Sequence, residues 1–134
     1  ARQGSTRAAQ WVGGGMIFAP KPRDYSVKMN KKEKAAAIKS ALSSRVAEEK
    51  IYVVDSLAFD EIKTKKMAAV LDSLKVEKAL VVLDKKDENV ILSARNLPEV
   101  RTVMSNSINV YDILKYGSLV ITKEAVAQIE EVYA

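Results

Sequence analysis

The sequence predicts an α/β protein, with a mainly parallel sheet covered by helices on both faces and an extended basic arm that contains glycine and proline. Three observations carry this expectation. Over residues 30–134, short and continuously apolar runs alternate with helical patterns, and strands apolar at every position belong to parallel sheets buried on both faces. Residues 1–29 hold four of the five glycines and two of the three prolines, and no periodicity there lasts more than a few positions. Finally, the charge is unevenly divided between these two parts.

The strand candidates are Ile51–Val54, Ala79–Leu83, Val100–Met104 and Leu119–Ile121. The first helix opens behind Asn30, a good N-cap, with Glu33 three residues on as its capping-box partner. It runs to about Glu49, with Ala35, Ile38, Ala41, Leu42 and Val46 on one apolar stripe. Further helical patterns cover about Thr64–Leu74, Asp87–Arg95, Asn109–Tyr116 and Lys123–Tyr133, the last behind Thr122 as its cap. Asp87 and Glu88 suit a helix cap and first-turn acid, and Arg95 and Pro98 suit a helix end and its stop. The sequence divides into an arm, 1–29, and a globular domain, 30–134. There is no internal repeat, and no low-complexity tract beyond the glycine-rich arm.

At 134 residues the chain has room for one domain burying roughly 68% of its unfolded surface. A hydrophobic content of 48% argues against wholesale disorder. With no Cys, disulfides, thiol chemistry and zinc–cysteine sites are excluded; with no His, the commonest general base and metal ligand is missing. No apolar run approaches the roughly 18–20 residues of a membrane-spanning helix, and no signal-peptide pattern opens the chain.

The net charge of +5 comes from 22 Lys and Arg against 17 Asp and Glu. Residues 1–34 hold eight of the cations and only two anions, Asp24 and Glu33, a net +6. The remaining hundred residues carry 14 cations and 15 anions, a net −1. The chain is a near-neutral body with a basic arm.

Within the arm, Arg7, Lys21, Arg23 and Lys28 are interleaved with Trp11, Phe18, Tyr25 and the run Gly13-Gly14-Gly15. Cations neutralise phosphates, rings stack on unpaired bases, and glycine lets backbone come close to a phosphate, so the pattern favours nucleic acid. The bland alternative is a solvated tail, mobile in isolation, whose Trp and Phe dock on the body. Ala19-Pro20-Lys21-Pro22 should be extended. Lys31, Lys32 and Lys34 fall in the first turn of the first helix, against its dipole, which costs about 0.3–1 kcal/mol per exposed cation. A phosphate at the same helix end reverses that sign.

Other constellations are weaker. Gly13–Gly15 lacks the GxxxxGK[ST] pattern and a preceding strand, so it is no P-loop, and Thr64 within Lys63-Thr64-Lys65 suits a helix cap. Asp55 and Asp84 each follow a strand, where ligands of open α/β sheets bind, so a small Mg²⁺-dependent phosphoryl enzyme or phospho-acceptor is a rival reading. Ser40, Ser43 and Ser44 have no His to activate them. A free regulatory RNA-binding protein is a third reading.

The motifs Ala1-Arg2-Gln3-Gly4-Ser5-Thr6-Arg7, Gln10-Trp11-Val12-Gly13-Gly14-Gly15 and Pro20-Lys21-Pro22-Arg23 resemble the extended loop of the bacterial large-subunit ribosomal protein four family. The resemblance continues in order through Asn30-Lys31-Lys32, Lys39-Ser40-Ala41-Leu42-Ser43, Lys63-Thr64-Lys65, Leu92-Ser93-Ala94-Arg95-Asn96 and Asn109-Val110-Tyr111-Asp112. It implies a three-layer α/β/α domain, a non-catalytic constituent of the large ribosomal subunit in the cytoplasm, with its loop running toward the polypeptide exit tunnel. The implied partners are 23S ribosomal RNA and neighbouring large-subunit proteins, with no membrane and no homo-oligomer. No catalytic residue, metal or cofactor is expected. The implied RNA-binding residues add Arg2, Gln3 and Lys39 to those already named in the arm and first helical turn. Family members begin with a strand, a helix and the outgoing half of the loop, so this sequence resembles their C-terminal two-thirds. Val12, Ala19 and Ala35 stand where the family often has a cation, Gly and Arg, so the resemblance implies RNA binding with fewer charges than is usual in the family.

Overall fold

The computed structural model describes residues 4–133. Its elements run α1 (Lys31–Ala47), β1 (Ile51–Val54), α2 (Thr64–Ser73), β2 (Ala79–Leu83), α3 (Glu88–Arg95), β3 (Val100–Met104), a 3₁₀ turn (Ser105–Ser107), α4 (Val110–Lys115), β4 (Ser118–Thr122) and α5 (Lys123–Tyr133). All strand pairs are parallel and the order across the sheet is β1-β4-β2-β3. Ile51 lies beside Leu119, and Ala79 lies between Ser118 and Val100.

The two central strands explain why the apolar runs have no polar alternation. Every residue of β2 is buried, as are four of the five in β4. Leu80, Val82, Leu119 and Ile121 face one core with Ala41 of α1, Ile113 and Tyr116 around α4, and Ala125 and Ile129 of α5. Ala79, Val81, Leu83 and Val120 face the other, with Met67 and Leu71 of α2 and Val90 and Ala94 of α3. Successive strand side chains point to opposite faces, so an unbroken apolar run is what two helical layers require. The three-layer expectation holds.

Helix ends follow local chemistry. Asp87 caps α3, its carboxylate accepting from the Asn89 N–H at 2.9 Å and, more weakly, from the Val90 N–H at 3.4 Å. Asn109 caps α4 by accepting from the Asp112 N–H at 2.8 Å. Thr122 caps α5, its hydroxyl accepting from the Ala125 N–H at 3.4 Å. Thr64 corrects the sequence expectation. It is the first residue inside α2, and the capping position is Lys63, whose N–H donates to Ser93 Oγ of α3 at 3.0 Å.

The helices α1 and α2 end in the same device. Glu49 and Lys75 adopt φ of +56° and +57°. Around them the Glu49 N–H reaches the Val46 carbonyl and the Lys50 N–H the Arg45 carbonyl, while Lys75 and Val76 reach Asp72 and Leu71 in the same pattern. These are Schellman closures, which usually place glycine at the left-handed position. Val76 and Leu71, the outer pair of the second closure, belong to one core cluster, the apolar pairing that commonly accompanies this motif.

One more correction concerns the stripe of α1. Val46 is exposed, and Arg45 is buried in its place. The Arg45 Nε donates to the Ile113 carbonyl at 3.1 Å, one terminal nitrogen to the Leu114 carbonyl at 2.9 Å, and the other to Glu48 at 2.7 Å. The last carbonyls of a helix have no partner within it. The guanidinium supplies donors to two of those at the end of the six-residue α4.

Candidate nucleic-acid interface

Residues 4–30 contain no helix or strand, yet they are locally organised. Residues 7–15 close into a loop: the Trp11 N–H donates to the Ala8 carbonyl at 3.0 Å, the Gly14 N–H to the Trp11 carbonyl at 2.9 Å, and the Gly15 N–H to the Arg7 carbonyl at 3.0 Å. Gly13 has φ of +79°, in the region that favours glycine, and a Cβ on Gly14 would lie 1.9 Å from the Ala8 carbonyl oxygen. Two of the three glycines singled out for close approach to a phosphate are therefore required by the chain's own turn, and the N–H of the third is taken by Arg7.

Both anions of the basic segment are engaged locally. Asp24 accepts from the Ser26 N–H and from the Ser26 hydroxyl, each at 2.8 Å. Those two hydrogen bonds, the backbone one foremost, hold its carboxyl below the ordinary value against a small opposing effect of burial. Glu33 accepts from the Asn30 N–H at 3.2 Å, the expected contact of the capping pair.

The cations contrast with this. Among the described residues, Arg7, Lys21, Arg23, Lys28, Lys31, Lys32 and Lys34 form no ion pair, and the body pairs many of its own. Lys50 meets Glu48 at 2.9 Å, Lys63 meets Glu61 at 2.5 Å, Lys78 meets Glu99 at 3.2 Å, Lys86 meets Glu88 at 3.0 Å, and Lys85 lies between Asp84 and Glu124. These seven cations are exposed, as is Lys39 farther along α1. Arg23 stacks over the Tyr25 ring with its central carbon 4.3 Å from the centroid, a flat cationic and aromatic surface open to solvent.

The large apolar side chains of the arm are also unburied. Phe18 is 97% exposed, Tyr25 75% and Trp11 46%, and Val12, Met16, Ile17, Val27 and Met29 are exposed beside them. The alternative in which Trp11 and Phe18 dock on the body is not what the structure shows. Arg2 and Gln3, the two remaining site candidates, lie outside the described residues.

The carboxylates of the rival reading are placed differently. Asp55 is exposed after β1. Asp84, after β2, accepts from the Thr122 hydroxyl at 3.3 Å, joining the ends of the two central strands. Burial raises its pKa, but hydrogen bonds from its own backbone N–H and from the Thr122 hydroxyl, with the charge of Lys85, outweigh that and leave the carboxyl below its ordinary value. Among the described residues there is no group of three or more Asp, Glu, His or Cys able to hold a metal ion.

Two residues that the sequence reading passed over organise the body. Arg45 is one; its spacing, four after Ala41 and seven after Ile38, puts it on the inward stripe. Asp112 is the other. Its side chain is 1% exposed, accepts from Arg101 of β3 at 3.1 Å and from the Asn109 amide at 2.7 Å, and so ties the start of α4 to an edge strand. The Asn109-x-x-Asp112 spacing was the available signal.

Comparison with known proteins adds an independent line. A model of the ribosomal protein L4/L1 family matches residues 1–132. The chain is 75% identical to the large ribosomal subunit protein uL4 of Lachnoclostridium phytofermentans, over 134 residues that are all of this chain and 65% of that protein. Its counterparts in Agathobacter rectalis and Thermoanaerobacter sp. strain X514 are 66% and 54% identical, with the same coverage. The chain thus spans about two-thirds, 65%, of the length of these relatives.

Proposed function

The chain belongs to the ribosomal protein L4/L1 family, and from that premise we propose that it is a structural, non-enzymatic part of the bacterial large ribosomal subunit that binds 23S ribosomal RNA. Residues 1–29 are the RNA-binding arm, directed toward the polypeptide exit tunnel, and residues 30–134 are the anchoring domain. Arg2, Arg7, Lys21, Arg23, Lys28, Lys31, Lys32, Lys34 and Lys39 meet phosphates, with Gln3 hydrogen-bonding beside them. Trp11, Phe18 and Tyr25 stack on or wedge between bases, and Gly13, Gly14 and Gly15 shape the turn that lets backbone approach the RNA. Neighbouring large-subunit proteins complete the surroundings.

The observation that carries this reading is that, among the described residues, the arm's cations form no ion pair and its large rings are exposed. Unpaired cations and solvated aromatic rings on one segment are what a polyanion with stackable bases requires. The lysines at the start of α1 sit against the helix dipole, and a phosphate there turns an unfavourable placement into a favourable one. Ordering the arm costs conformational entropy, offset by release of counterions from the RNA.

The test is a salt titration of binding to a 23S ribosomal RNA transcript. With about six phosphates neutralised, log K falls with log[salt] at a slope of about −4 to −5. An affinity indifferent to salt overturns the proposal.

A further inference from the structure

The helix that carries the lysine row has a slight hold on the body. Of its 17 residues only Ala41 and Arg45 are buried, with Ile38 and Leu42 packed partly against the same core. Its first turn is wholly exposed. Against that small apolar contact, Arg45 makes three hydrogen bonds: to the Ile113 and Leu114 carbonyls at the end of α4 and to Glu48 in its own last turn. Glu48 is oriented in turn by Lys50 at 2.9 Å and by the Ser44 hydroxyl at 3.2 Å. A planar guanidinium bonded to two successive carbonyls fixes both distance and angle, which an apolar contact or a lysine does not.

We propose that Arg45 is the positioning residue of the RNA-binding face: it clamps α1 to the end of α4 and so sets where Lys31, Lys32, Lys34, Lys39 and the arm stand relative to the body. This rests on the RNA-binding reading above. The lever is long. Fourteen residues separate Arg45 from Lys31, about 21 Å along a helix, so a tilt of about ten degrees at the clamp moves the first lysine by about 4 Å, more than a hydrogen-bond length. Arg45 itself touches no RNA in this scheme; its charge is already satisfied within the protein, and it acts through the helix.

The sequence holds no cysteine, so spin labels at Ala36→Cys on α1 and Glu130→Cys on α5, both exposed, report the helix orientation in the full 134-residue chain. The unmodified clamp should give a narrow distance distribution, and Arg45→Met a broad one at temperatures well below its melting point. Binding of the same variant to a 23S ribosomal RNA transcript should weaken by about tenfold, because the lysine row is no longer pre-ordered, with the salt slope unchanged because no phosphate contact is removed. Arg45→Lys, which keeps the charge but cannot bond both carbonyls and Glu48 together, should fall between, and it carries the same test if Arg45→Met does not fold. A purely stabilising role lowers the melting temperature and leaves the distances and the affinity of the folded protein alone; that result overturns the proposal, as does broadening without loss of affinity. Absence of salt-dependent binding in the unsubstituted chain refutes the proposed function instead, a separate outcome.

Discussion

Replacing Lys31, Lys32 and Lys34 together by Gln tests whether binding depends on where the positive charge lies or only on how much there is. None of the three has an ion-pair partner among the described residues, and all are exposed, so each is free to displace one counterion equivalent. At about 0.7–0.9 per phosphate, the triple variant should flatten the salt slope by about 2–3. Starting from about −4.5, affinity between 50 and 200 mM salt should drop by about 500-fold for the unsubstituted chain and about 20-fold for the variant. The matched control replaces Lys50, Lys78 and Lys86, whose partners are Glu48, Glu99 and Glu88. It removes the same formal charge but only cations already neutralised, so its slope should stay near that of the parent. The two readouts of the triple variant should also move apart. Removing cations from a helix N-terminus relieves an unfavourable dipole interaction, so the melting temperature holds or rises while RNA affinity falls. Filter binding across four salt concentrations and a thermal melt measure both. If the control flattens the slope as much as the triple variant does, binding follows net charge and the assignment of the lysine row to the interface is wrong.

Phe18→Ala separates recognition from stability in another way: with the ring 97% exposed, the melting temperature should not move, while binding should weaken by about 1–3 kcal/mol if the ring stacks on a base; equal affinity in a competition assay removes Phe18 from the interface. The Asp84 carboxyl, held below its ordinary value despite burial, contributes stability that is present above the unfolded carboxylate value of about 3.9 and is lost as pH falls through the lower folded value. Melting temperatures recorded from pH 5 down to pH 2 should therefore fall more steeply for the unsubstituted chain than for Asp84→Asn, and parallel curves would show that Thr122 and Lys85 do not favour its ionised form.

Much of the architecture was written in local pattern. The apolar runs at 79–83 and 118–122 are strands buried on both faces, so every position must be apolar or nearly so, and that signal survives without knowledge of any partner. The capping residues Asp87 and Thr122 were legible for a related reason, since a cap acts on backbone groups two or three residues away. The ends of the first two helices were also placed within two residues, at about Glu49 and Leu74, but their left-handed closures were not legible, because Glu49 and Lys75 are not glycine. Thr64 looked like a cap by composition, but it is the first residue inside α2 and Lys63 takes the capping position.

The candidate interface divides the same way. Charge segregation, +6 over residues 1–34 against −1 beyond, is a property of sequence alone and by itself singles out that segment as the candidate to meet a polyanion. Tertiary structure decided which charges are available. It paired Lys50, Lys63, Lys78, Lys85 and Lys86 of the body with carboxylates, turned Asp24 onto Ser26, used Gly13 and Gly14 for a turn, and left Phe18 and Tyr25 in solvent. It also placed β4 between β1 and β2 and turned Arg45 rather than Val46 inward, where the end of α4 presents two carbonyls in need of donors. Periodicity reports how strongly each residue resists water within its own segment. Which atoms stand opposite it, and hence whether a charge is satisfied or free, is settled only when segments 68 residues apart are brought together, as Arg45 and Ile113 are.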